Sequence, residues 1–437
     1  MTVQSLGGRK SVHTPPFLIP PRDNDERQSL ISDQKLPPLS AALINSTFIQ
    51  GFELDDWHSE APLHSNSILL PALFAAIPTL TKRSSTPVSG SSFLLAYLAG
   101  LEVGPRVGNA LQGASILTQG WHSGAVFGPS ASAASVSKLF GLNAAQTEDA
   151  LGIACTQACG LMSAQFESEV KRMQHGFAAR NGLFAALLAK GGYVGIKKVY
   201  EREYGGFLDM FTKGNGQSPQ FMIKELTKDM GNDWKTAKVR VKPYAAMAAT
   251  HGVVDCVRKL QSEYPEEMED LEGIENVTLT MSEVAFHHGG FDITAPITSV
   301  GAQMSSKYVA ATQMIDREVM PREFRHDMLE RAGIWKLVEK ITCVQGDGKG
   351  EGAKWKTVAE VQWKDGRRAK VEVMAARGVN PELSNEDIVG KWRGLMRDVI
   401  EVERKDAIEK ACLGIEELED VMELGKLLEG AVKNPIT

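Results

Sequence analysis

Cysteine is scarce in this chain. The five present, Cys155, Cys159, Cys256, Cys343 and Cys412, are sparse and odd in number, which does not suggest a disulfide framework. Cys155 and Cys159 stand four apart in an Ala/Gly-rich segment, where core packing is the plain reading. A metal pair there would need two more ligands nearby, and none is evident. Long apolar runs are missing too: no stretch of about 20 uninterrupted apolar residues occurs, so no transmembrane helix is expected. Positive charge is not in excess. The formal net charge of -6 and the lack of a basic stripe argue against a nucleic-acid partner. Lys82-Arg83 and Arg367-Arg368 are short pairs that read as solvated. There is no Walker motif, no GxGxxG after a strand, no HExxH and no GxSxG, so several cofactor and hydrolase chemistries lack their signatures. No repeat of fixed period is visible.

What is present is a soluble-type composition, 43% hydrophobic and 23% charged over 437 residues. That length exceeds what one core usually supports, so two domains are expected. Residues 1–38 carry six prolines, in pairs, and read as a loose segment. Arg9, Lys10 and the absence of an acid before Asp23 resemble a transit peptide only faintly. The cytoplasm is the expected compartment, with the mitochondrion as the alternative.

From Leu39 the pattern is helical. Helices are expected over 39–52, 65–77, 87–113 and from about 122 to 142. More follow over 143–161, opened by a cap-like Asn143, then over 176–188 and 194–211. The Ser/Ala/Gly-rich run after His122 suits a central helix that others cross closely. Near Asp233 the character changes. Strands are expected over 234–241, 275–286, 341–344, 357–363 and 368–374, with Asp365-Gly366 marking a hairpin. Helices are expected between them over 245–263 and 299–318. The fold class is therefore mainly α: a large all-helical domain (39–232), a smaller α+β domain (233–378) and C-terminal helices (379–437) returning to the first.

Chemistry concentrates in Phe52–Ser65, FELDDWHSEAPLHS. It packs Glu53, Asp55, Asp56, His58, Glu60 and His64 beside an apolar helix, and burying unpaired charge is costly. Carboxylates beside imidazoles can act as acids, bases or orienting groups. Three other segments offer cations or imidazoles: Gly120-Trp121-His122, Lys171 to His175 with Arg172, and Lys242-Pro243-Tyr244. Lys171, Arg172 and His175 read as preceding a small-residue helix. His122 reads as sitting at a helix start, where free N–H groups attract anions. These four segments are expected to meet in one cleft that handles a small polyanion. A metal at Asp55, Asp56 and His58 lacks a spaced partner set.

Together the phrases ELDDWHSEAPLHS (53–65), GWHSGAVFG (120–128), EDALGIACTQACGLMSAQ (148–165), VKRMQHGFAARNG (170–182) and GGFLDMFTKGNG (205–216) resemble the MmgE/PrpD family, from about Leu36 to the C-terminus. The family includes 2-methylcitrate dehydratases and cis-aconitate decarboxylases, and the phrases are most similar to the fungal decarboxylases. The resemblance implies a cofactor-free lyase, and no metal is expected from the residue spacing. It also implies a homodimer, with the site between a helical domain and a smaller α+β lid. Carried over residue by residue, the acidic pair and following histidine are Asp55, Asp56 and His64, with Glu53 where the family often has Asp. The second histidine matches His122, the anion-binding lysine Lys171 and the lid lysine Lys242.

The chain departs from the family at Gln174, at Met247 and in residues 1–38, which do not resemble the helices that begin its members. The expected activity is conversion of cis-aconitate, or a close alkyl analogue, to itaconate and CO2. A 2-methylcitrate or alkylcitrate dehydratase is the alternative, and an inactive paralogue is the second. His122 is the expected proton donor and His64 a carboxylate partner, though the two roles could be exchanged. Lys242, Arg172, His58, Glu53 and His175 are the expected substrate-binding set. Trp57, Phe286 and Met247 are candidates to line or block a substituent pocket.

Overall fold

The structure, a computed structural model, describes residues 36–81, 86–166, 168–348, 355–397, 399–430 and 432. Residues 1–35 of the Pro-rich segment, and the Lys82-Arg83 pair, lie outside the described residues. The fold is mainly α with a small α+β part.

Helices α1 (Pro38–Ile49), α2 (Ser65–Thr81), α3 (Gly90–Ala110), α4 (Ser123–Leu139), α5 (Ala144–Cys155) and α6 (Val170–Lys190) build the first body. Its centre is α4, whose residues from Ser123 to Ser137 are all buried. The small residues permit this. A Cβ added at Gly100 of α3 would lie 2.6 Å from the Ala131 carbonyl oxygen, and one at Gly182 of α6 would lie 2.3 Å from Ser132 Cβ. Ser132 Oγ also donates to the Ala179 carbonyl at 3.0 Å. Asn143 caps α5 in a reciprocal capping box with Gln146, as its position before a helical run implies. The core around these helices also takes Ile408, Val421 and Leu424 from the end of the chain.

A second core runs from Tyr244 to Val371. Its sheet has the order β4-β3-β5-β6 and is formed by β3 (Ile274–Met281), β4 (Ile341–Gln345), β5 (Thr357–Trp363) and β6 (Arg368–Val373). β3 and β4 run parallel, and the other pairs are antiparallel. Along β5, Thr357, Ala359, Val361 and Trp363 are buried in alternation, the period of a one-sided sheet. The β5–β6 hairpin turns at Asp365-Gly366, with Gly366 at φ +91°, a conformation that glycine adopts freely. The helix His251–Glu263 packs on β5 and β6.

Several expected elements differ. Strand 234–241 is a 3-10 turn over Lys235–Lys238, then the short strand β2 (Val239–Val241). β2 pairs with β1 (Asp56–His58), a strand between the helices expected over 39–52 and 65–77, where no strand was expected. Lys235 opens that turn, and its ammonium bonds Asp233 at 2.7 Å. Residues 194–206 are not helical, because Gly195 N–H and Lys197 are held by Asp149 at 2.9 and 2.5 Å. Strand 275–286 ends at Met281, since Ser282 caps a helix over Glu283–Gly289. Helix α5 ends at Cys155, so Cys155 is buried while Cys159 is exposed beyond it.

The close α4–α6 crossing predicts that Gly182→Ala lowers unfolding stability by about 1–3 kcal/mol despite alanine's better helix propensity. A denaturant midpoint equal to that of the unsubstituted protein would show that the crossing tolerates a methyl group.

Candidate active site

Residues 50–56 leave α1, turn at Glu53 and enter β1. Glu53 is buried and takes φ +52°, a region that non-glycine residues seldom occupy. The turn delivers its carboxylate to three cations. Oε1 accepts from Lys171 Nζ and Arg172 Nη1, and Oε2 from Lys242 Nζ at 2.7 Å. Gln50 Nε2 adds a bond at 3.2 Å. Burial pushes the Glu53 carboxyl up, but Lys171, Lys242 and Arg172 outweigh it and hold the group well below its usual range. Asp55 lies 3.2 Å from Lys242 Nζ and 3.1 Å from His64 Nδ1. Burial opposes its charge, yet His64 and Lys242 bring its carboxyl down to about 2. Lys242 responds in kind: burial lowers it, and Glu53 and Asp55 raise it further than burial lowers it.

Lys171, Arg172 and His175 do not precede a helix. They lie in the first turns of α6, on its buried side. Burial lowers the Lys171 ammonium to about 8. Arg172 also donates to Gln50 Oε1 at 3.0 Å and Gln303 Oε1 at 2.7 Å. Gln303 in turn donates to the carbonyls of Phe52 and Ala245, at 2.9 and 3.0 Å. It therefore ties α6 and the Glu53 turn to the second core.

His122, His175 and His64 form a row. The His175 ring centroid is 4.8 Å from that of His64 and 4.9 Å from that of His122. His175 has no exposed surface, and neither of its nitrogens has a hydrogen-bond partner among the described residues. Its room comes from Gly124, where a Cβ would lie 2.5 Å from His175 Nε2. His122 is the N-cap of α4, and its Nδ1 accepts from Ala125 N–H at 3.3 Å. Burial first, then Lys171 and His64, lowers the His122 imidazole to about 3. A ring that accepts a backbone N–H at Nδ1, and whose protonation burial opposes, holds its remaining proton at Nε2.

Other expected site residues serve the frame. Asp56 accepts from the amides of Ser65 and Asn66 at 3.0 and 2.9 Å, closing the start of α2. Burial and then Asp55 raise its carboxyl to about 6. His58 accepts at Nδ1 from Ala61 N–H at 3.1 Å and donates from Nε2 to the Lys235 carbonyl at 3.1 Å. Both nitrogens are engaged, and burial lowers the ring to about 4. Lys242, Arg172 and Lys171 are all buried with their charged ends on Glu53. Trp57 packs against Trp355, with centroids 5.6 Å apart. Met247 N–H bonds the Gln303 carbonyl at 3.1 Å, and its Cε lies 2.9 Å from where a Gly289 Cβ would stand.

The arrangement is a buried cluster of cations around two ionised acids, bordered by three imidazoles. Sequence reasoning missed Gln50, Gln303 and Lys391, whose Nζ donates to the carbonyls of Leu54 and Lys242 at 2.6 and 2.8 Å. Their local sequence carries no signal, because each is a polar residue on a helix or just past its end and gains its partners from the tertiary fold.

The MmgE/PrpD N-terminal domain matches residues 20–220, and the MmgE/PrpD C-terminal domain matches residues 244–415. A cis-aconitate decarboxylase-like protein of Aspergillus oryzae is 46% identical, covering 91% of this chain and 84% of its own. A cis-aconitate decarboxylase of Aspergillus terreus is 44% identical, covering 92% of this chain and 84% of its own. A Homo sapiens cis-aconitate decarboxylase is 28% identical, covering 91% and 81%.

The capping role of Asp56 predicts that Asp56→Ala loses about 1–2 kcal/mol of unfolding stability. Chemical denaturation measures it, and an unaltered midpoint would remove that role.

Proposed function

Because the chain belongs to the MmgE/PrpD family, we propose that its cleft decarboxylates cis-aconitate, releasing CO2 and itaconate without a cofactor. The carrying observation is the charge of the cluster. Lys171, Arg172, Lys242 and Lys391 surround the carboxylates of Glu53, Asp55 and Asp56, so cations exceed acids even with all three ionised. A buried positive surplus is costly alone and is relieved by an anionic ligand. The names of the Aspergillus relatives support cis-aconitate as that anion.

In cis-aconitate the departing carboxylate is on the CH2 beside the double bond. Its C–C bond breaks, CO2 leaves, and the electron pair becomes an allylic carbanion. One proton added at the far alkene carbon gives itaconate. The substrate trianion plus one proton thus balances the product dianion plus CO2. His64 is the donor that the geometry supports. Its Nδ1 faces the ionised Asp55, which orients the ring and leaves Nε2 for the substrate. It also keeps some exposed surface, so it can be reprotonated from solvent. Lys171 holds a substrate carboxylate, with Glu53 fixing its ammonium. His122 acts as a neutral hydrogen-bond donor through Nε2, because its Nδ1 is engaged by α4. His175 supplies polar contact between them. Fixed charges beside developing charge are the usual source of rate.

The second core's α+β part serves as a lid over this site, and the chain works as a homodimer in the cytoplasm. The family resemblance supports the lid and the homodimer, and the cytoplasm is the default compartment. Among the described residues no helix is long and apolar enough to cross a membrane.

Proton NMR of the protein with cis-aconitate at about pH 6.5 is expected to show itaconate's two vinylidene protons. His64→Asn is expected to reduce kcat by at least about 100-fold. Hydration of the alkene with no CO2 would favour a dehydratase instead. The pH profile gives a second test. Lys171, lowered to about 8, is charged below that pH and loses its charge above it. kcat/KM is therefore expected to fall by about tenfold per unit above pH 8, and a flat profile to about pH 9.5 would contradict a charged Lys171 as the anion holder.

A further inference from the structure

Lys391 lies on the C-terminal helix Asn385–Leu395, far in sequence from the acidic turn. Its ammonium donates to the Leu54 carbonyl at 2.6 Å and to the Lys242 carbonyl at 2.8 Å. Leu54 lies between Glu53 and Asp55, and Lys242 is the residue whose own ammonium bonds both of those acids. One side chain therefore joins the backbone of the two acids to the backbone of the cation they share.

The contact also explains how the Glu53 turn is held. A non-glycine residue at φ +52° persists only where its surroundings fix it, and the carbonyl of the very next residue is the one Lys391 takes. Gln303 holds the Phe52 carbonyl on the other side of Glu53, at 2.9 Å. The turn is thus gripped before and after its strained residue, by helices from two different parts of the chain. Neither neutral carbonyl cancels the Lys391 charge. A methionine would fill the same length without burying an ammonium, so an apolar packing role does not account for a lysine here. Burial lowers the ammonium to about 8, which leaves it charged near pH 6.5.

We propose that Lys391 is a positioning residue of the polyanion site, locking the Glu53–Asp55 turn to Lys242 and, through those acids, setting Lys171 and His64. This rests on the carboxylate-handling reading above. Lys391 need not touch the substrate. Its removal loosens the geometry of the groups that do, and small displacements of charged groups have large effects.

The test is calorimetric titration with tricarballylate, a saturated tricarboxylate that cannot lose CO2 by the same route, at about pH 6.5. Wild type, Lys391→Met and Lys391→Arg are compared, with thermal melting recorded separately and cis-aconitate turnover measured on wild type. Lys391→Met is expected to bind tricarballylate about 10–100-fold more weakly. Lys391→Arg, which restores a charged donor, is expected to return to within about threefold of wild type. Binding by Lys391→Met within about twofold of wild type would overturn the proposal, as would an arginine variant as weak as the methionine one. Should Lys391→Met fail to fold, Lys391→Gln, an uncharged donor, is held to the same criteria. Wild type that binds tricarballylate yet forms no itaconate would overturn the decarboxylase reading and leave the positioning role to the binding data. Wild type that does not bind it would overturn both.

Discussion

Glu53 carries one carboxylate shared by Lys171, Arg172 and Lys242. Alone, a buried carboxylate is expensive, and three buried cations repel one another. Together each removes the other's penalty, provided that the chain brings them to one point. That requirement sets much of the architecture. α6 must begin where Lys171 and Arg172 face the turn after α1. β2 must pair with β1, so that Lys242 follows it into the cluster. The backbone must bend through a strained residue to aim the acid inward. The neutral amides of Gln50 and Gln303 then complete the shell.

The same logic separates three histidines of one residue type. His122 is placed by a helix N-terminus and is neutral there, with one nitrogen engaged by a backbone N–H. His64 has an ionised carboxylate at its ring. His175 has neither and stands between them, in space opened by Gly124. Their different partners assign them different chemistry. Asp55 and Asp56 diverge in the same way, one facing a histidine and a lysine, the other closing a helix.

What the sequence made legible was local or dense. Asn143 before a helical run, the Asp365-Gly366 hairpin and the alternation in β5 each follow from a few neighbouring residues. The concentration of acids and histidines in 53–64 marked a site because such groups are costly beside an apolar helix. The failures have the opposite character. Whether His58 faced a ligand or its own backbone depended on the turn at Glu60-Ala61 and on Lys235, remote in sequence. Residues 194–206 carry a helical pattern, but Asp149 holds Gly195 and Lys197 instead. Nothing in the residues next to Lys391 sets it apart, and the packing of its helix on the acidic turn gives it partners. Local pattern reports which groups are present; their roles depend on contacts across the fold.

The central claim is that a carboxylate-organised cation cluster, bordered by His64, receives a tricarboxylate. A crystal structure of the protein with bound tricarballylate tests it most directly. The account predicts one carboxylate on Lys171 Nζ and the carbon chain against the His64 ring, with Glu53 still joined to Arg172 and Lys242. Tricarballylate bound elsewhere, with His64 and Lys171 untouched, would contradict it.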